Sequence, residues 1–130
     1  LKAIALAGGG TLSADALKVD ALRLAVSGSA DVKLRQLAAA ELAVDISGSG
    51  DLQFAGRTGR LTISIAGSGD VNARGLEAAD VSVSIAGSGD ANVVARKTLS
   101  VSIAGVGTVS YGGDPSVKSS IAGHGTVRRL

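Results

Sequence analysis

Residues 64–70 read SIAGSGD, and residues 84–90 repeat them letter for letter. A close variant, DISGSGD, occupies 45–51, while SIAGVGT (102–108) and SIAGHGT (120–126) follow near the C-terminus. A catalytic loop is needed once. A phrase written five times in 130 residues is architecture first. Taking the first glycine of each phrase as a phase marker gives Gly8, Gly28, Gly48, Gly67, Gly87, Gly105 and Gly123, at intervals of 20, 20, 19, 20, 18 and 18. Seven repeats therefore span almost the whole chain, the signature of a solenoid.

Alignment on that glycine exposes columns. Two residues before it stand Leu6, Val26, Ile46, Ile65, Ile85, Ile103 and Ile121. Four before it stand Ile4, Leu24, Val44, Ile63, Val83, Val101 and Ser119; six before it, after Lys2, come Leu22, Leu42, Leu61, Val81, Leu99 and Val117. Four after it come Leu12, Val32, Leu52, Val71, Ala91, Val109 and Val127, then two further on Ala14, Leu34, Phe54, Ala73, Val93, Tyr111 and Arg129. Apolar side chains at every second position between glycine turns are strands with one buried face. On a helix the same positions would wrap right round the cylinder. The intervening Thr62, Ser64, Ala66, Ser82, Ser84, Ala86, Ser100, Ser102 and Ala104 face outward.

Each repeat then reads as a strand of about six residues, a Gly-x-Gly corner, a strand of about five, and a looser corner such as RGLEAAD (74–80). One such coil cannot bury its inner face alone, but stacked coils can, each pairing with its neighbours at roughly 4.8 Å. The predicted fold is all-β: a single-stranded parallel β-helix of about seven coils of 18–20 residues, forming one domain over residues 1–130. Its lumen is read as a narrow space between two close sheets.

Composition agrees. Apolar residues make up 45% of the chain, yet there is one Phe, one Tyr, no Trp, no Met and no Cys, so the core must be small aliphatics. Nineteen glycines against the single Pro115 allow many tight turns without breaking a ladder. A net charge of +2 with scattered signs predicts no nucleic-acid partner. No apolar run approaches the ~18 residues of a membrane span. Leu1 in place of an initiator Met reads as a fragment or processed product, and the N-terminus starts directly in the repeat, as though an N-terminal portion were cut away. At the other end Ser119 and Arg129 replace inward apolar residues, and YGGDPSVK (111–118) breaks the corner pattern, which reads as a polar cap.

Tandem ISGSGD and IAGSGD units about 20 residues apart, joined by GLEAADVSVSI (75–85) and closing on GTVRRL (125–130), resemble the head GIN domain family of bacterial autotransporter adhesins. The resemblance covers Gly8 to Leu130. It implies a right-handed β-helix without recognised catalytic residues, and a role in adhesion at the cell surface or outside the cytoplasm. Members typically carry a further N-terminal half, most of which this sequence lacks.

Chemistry finds little purchase. Asp31, Asp51, Asp70 and Asp90 form a column directly after the glycine corners, which invites a calcium ladder. Thr11, Thr108 and Thr126 take the same place in other coils, so the expected role is a turn bond to the backbone. The lone His124 sits in a GHG corner where other coils carry Ser29, Ser49, Ser68, Ser88 and Val106, without the second ligand a metal needs. The GSG runs lead into strands and lack both a nucleophile elbow and a phosphate-loop ending. Asp15, Asp20, Glu41, Asp45, Glu77, Asp80 and Asp114 are scattered, and carbohydrate-cleaving sites need clustered carboxylates. Lys33, Arg35, Arg57, Arg60, Arg74, Arg96 and Lys97 lie around the second strand and the looser corner and read as a solvated rim, with a weak basic side for acidic polysaccharide as the alternative.

The expectation is a non-enzymatic, secreted or cell-surface structural and adhesive domain, without catalytic, cofactor or metal residues and without a cofactor. Its partners would be copies of itself, docked through the flat Ser/Thr/Ala face or through open coil ends, or a cell-surface protein or glycan. The alternative from another class is a polysaccharide-binding or, less readily, polysaccharide-active β-helix, which a groove lined by acids and aromatics would distinguish.

Overall fold

A computed structural model describes residues 2–129, without the side chains of residues 2, 14 and 17. Backbone extension is nearly uninterrupted: β1 runs Lys2–Ala14, β2 Leu17–Gly112 and β3 Ser116–Arg129. The 96 residues of β2 would span about 320 Å if straight. They coil instead. β1 pairs in parallel with β2 at an offset of one 20-residue repeat (Lys2↔Leu22, Gly8↔Gly28, Ala14↔Leu34), and β3 pairs with the end of β2 at an offset of 18 (Thr98↔Ser116, Gly105↔Gly123, Tyr111↔Arg129). These offsets equal the intervals between the phase glycines, so each repeat is one rung of a parallel β-helix.

Inside β2 the rungs stack in the order the columns require. A methyl built on Gly67 would meet the Gly48 carbonyl oxygen at 2.8 Å, and one built on Gly87 would meet that of Gly67 at 2.6 Å. The aliphatic columns line the lumen. Leu24, Val44, Ile63 and Leu61 are wholly buried, as are Val26, Ile46, Ile65, Ile85 and Ile103 in the next column. Each such side chain contributes ~1.5–3 kcal/mol on leaving water. Phe54 joins this core and Tyr111 is half-buried against it. Ala14, assigned inward by its column, lies outside the described side chains.

Three features differ from the sequence reading. First, the corners do not split the repeat into two strands. The ladder runs through both corners of every β2 rung, because rungs of nearly equal length keep backbone opposite backbone even where the chain bends. Second, the lumen is not enclosed by two walls alone. Leu37, Leu76, Ala78 and Ala95 from the looser corners are buried, and Thr58 is buried with its hydroxyl donating to the Arg60 carbonyl oxygen at 3.2 Å. Third, the two glycines of each corner do different jobs. The first adopts a positive φ (+124° at Gly87), whereas the second lies against an isoleucine of the preceding rung at Gly69, Gly89, Gly107 and Gly125, and against Val26 at Gly50. A methyl on Gly69 would stand 3.2 Å from Ile46 Cγ2.

The last rung behaves differently again. Val117 and Ile121, inward by pattern, are 38% and 41% exposed, with no rung stacked on them among the described residues. Ser119 is exposed beside them, and the Arg129 side chain pairs with Asp114 instead of facing the lumen.

Candidate functional site

The sites the sequence singled out fall on separate faces. Asp31, Asp51, Asp70 and Asp90 are all exposed along the tight-corner edge, where Asp51, Asp70 and Asp90 border a shallow depression of about 370 Å³ with Ser49, Ser68 and Ser88. Among the described residues no group of three or more His, Cys, Asp or Glu side chains is placed to hold a metal ion. Asn72, two residues after Asp70, accepts the backbone N–H of Arg74 at 3.3 Å, a side-chain turn of the kind expected of Asp. His124 is exposed at the outermost corner.

The seven basic residues are all exposed, and those that line concavities or meet acids fall on two faces. Lys33, Arg35 and Arg74 line a concavity of about 340 Å³ with Gln53 and Asn72, on the outer face of the second half-rung. Along that face the position two residues after the Asp column carries Lys33, Gln53, Asn72 and Asn92 in successive rungs, so it is polar with one cation. Arg57, Arg60 and Arg96 sit instead on the looser corners and meet acids there. Arg60 approaches Glu41 at 3.9 Å, and Glu77 Oε2 lies 3.8 Å from Arg57 Nε and 3.5 Å from Arg96 Nη2. The separation arises because Lys33, Arg35 and Arg74 follow their phase glycine by 5 to 7 residues, and Arg57 and Arg96 by 9. Those few residues carry the backbone round the bend.

These pairs join neighbouring coils. So do the Thr98 hydroxyl, which donates to Asp80 Oδ1 at 2.7 Å, and the Arg129–Asp114 pair. All are exposed, so each is worth about 1 kcal/mol or less. Glu77, placed among scattered acids by its sequence position, is the one described carboxylate shared by two guanidiniums. The triplet Ala38–Ala40 beside it escaped the sequence reading entirely. With Arg57, Glu77 and Arg96 it lines a groove of about 930 Å³. A run of three alanines in one corner, flanked by long charged side chains in the next, was the available signal.

The outward column of the first half-rung is as patterned: Thr62, Ser82, Ser84, Ser100 and Ser102 are exposed and Ser64 half-buried, with Ala66, Ala86 and Ala104 exposed beyond them. The face is small, polar and regular over three rungs.

Two crystal structures share this fold. One is described as a "putative adhesin" from Bacteroides fragilis, 18% identical, with a TM-score of 0.79 over 99% of this chain and 91% of that one. The other, a "putative lipid binding protein" from Parabacteroides distasonis, is 27% identical with a TM-score of 0.81 over 99% of this chain; the chain spans only 56% of that protein. We find no match among curated proteins. The family model described as "Putative auto-transporter adhesin, head GIN domain" matches residues 1–115, and with most of its length inside that match the chain belongs to this family.

Proposed function

We propose that this domain is a non-enzymatic adhesion module, secreted or held at the cell surface, whose stiff rod associates with a second copy through the flat serine face. The observation that carries the reading is the outward column Thr62, Ser64, Ser82, Ser84, Ser100 and Ser102 with its alanines. Side chains this short let two sheets approach to about 10 Å without interlocking bulk, and their constancy from rung to rung makes the face self-complementary. Membership of an adhesin family supports the surface role. The test is sedimentation velocity over a concentration series. The parent is expected to form a dimer or larger species, and Ser84→Arg, which places a long cation mid-face, is expected to return it to monomer. A parent that sediments as a monomer throughout, or an S84R variant that associates like the parent, refutes self-association through this face.

A further inference from the structure

A groove of about 930 Å³ runs along the looser corners, crossing five successive rungs from Lys18–Asp20 to Arg96. Four rung spacings make it roughly 19 Å long. Between its charged ends Ala38, Ala39 and Ala40 present methyls beside Thr58 and Gly59. At one end stands Lys18 with Asp20. At the other Glu77 sits between Arg57 and Arg96, drawing guanidiniums that belong to rungs on either side of it into the same groove. One nitrogen of each arginine approaches Glu77 (Nε of Arg57, Nη2 of Arg96), and a guanidinium has five N–H donors, so most of each fork is left for a ligand. Three cations against two acids leave the groove positive.

We propose that this groove binds an anionic polysaccharide whose sugars carry carboxylates, a polyuronate, laid parallel to the rod axis. A planar carboxylate matches the guanidinium fork with two parallel hydrogen bonds, and Glu77 brings both forks within 4 Å of one point of the groove. The alanine methyls accept the C–H faces of sugar rings. The groove has no aromatic to stack a neutral sugar, so charge must supply the recognition. An acidic peptide fits less well. Extended peptides bind sheets by adding a strand to a free edge, and here the ladder continues through these corners, so the backbone groups are already paired. The proposal deepens the adhesive reading by naming a ligand, and rests on it for the cellular setting alone.

The experiment is isothermal titration of the domain with sodium polygalacturonate, with dextran as the neutral control and poly-L-glutamate as the peptide control. Arg57→Ala/Arg96→Ala is the groove variant. Arg35→Ala/Arg74→Ala removes the same charge from the other face. All four arginines are exposed, so both variants are expected to fold, with circular dichroism spectra matching the parent as the check. Polygalacturonate is expected to bind the parent, dextran not to bind, and R57A/R96A to weaken binding at least about tenfold while R35A/R74A stays within about twofold. No binding of polygalacturonate overturns the proposal. Equal losses in the two variants overturn it too, because the attraction would be diffuse charge. Poly-L-glutamate binding as tightly as polygalacturonate overturns the glycan assignment. Sedimentation of the same samples reports on the serine face independently, so failure there and failure here are told apart.

Discussion

Replacing single glycines by alanine weighs backbone strain against rung-to-rung contact, because three corner glycines carry neither, the first alone, or both. Gly10 has ordinary φ and nothing within 4 Å of a built methyl; Gly8 has φ +84° and equally open space. Gly87 has φ +124° and a methyl there would lie 2.6 Å from the Gly67 carbonyl oxygen and 3.1 Å from its nitrogen. Gly10→Ala is therefore expected to be neutral or to stabilise by up to about 1 kcal/mol, through the unfolded chain. Gly8→Ala pays only for the left-handed backbone, about 1–2 kcal/mol. Gly87→Ala adds a collision with backbone that cannot rotate away. Relieving it means shifting a paired rung, and the sum is at least about 3 kcal/mol. The assay is urea unfolding followed by far-ultraviolet circular dichroism. With a slope of about 1–3 kcal/mol per molar, the Gly87→Ala midpoint falls by about 1–3 M, about 1.5 to 3 times the shift for Gly8→Ala. Equal midpoints for the Gly8 and Gly87 variants refute the reasoning, since the rung below Gly87 would then not be in contact.

Ile85→Asp puts an unpaired carboxylate among Ile65 and Ile103 in a position 1% exposed, and is expected to cost more than about 4 kcal/mol and abolish cooperative melting. Parental melting of that variant would reverse the inward register. Glu77→Gln removes the carboxylate that Arg57 and Arg96 share, and because both pairs are exposed the midpoint is expected to move by less than about 1 kcal/mol equivalent in urea. Calcium chloride in millimolar excess is expected to leave the melting temperature unchanged; a rise that Asp70→Asn abolishes would make the Asp column a cation site.

The aliphatic columns were legible because identity recurs in them. Ile46, Ile65 and Ile85 lie at a fixed distance from a glycine that must be a glycine, and each stacks on the rung before. The third wall was not. Leu37, Thr58, Leu76 and Ala95 fall at 8 to 10 residues after the phase glycine, in the part of the repeat where the length changes between 18 and 20, so no column forms in the alignment. The second glycine at Gly69, Gly89 and Gly107 read as more turn chemistry, when it also lies against an isoleucine of the rung before. The groove was hidden for a related cause. Arg57, Glu77 and Arg96 come from three rungs, with Glu77 one residue out of phase, and their meeting depends on where the bend carries each. Spacing finds residues that repeat. It does not find residues that converge from unequal loops.

The direction of the backbone pairing has a mechanical consequence. In this coil the inter-rung hydrogen bonds lie along the rod, so a pull on the backbone of one rung is expected to open its bonds to the next rung in sequence instead of all at once. Each rung that lets go frees 18–20 residues, about 60 Å of chain, in exchange for a 4.8 Å loss of rod. Under tension the domain lengthens in discrete steps and dissipates work at each one, a shock absorber whose step size is set by the interval between its glycines.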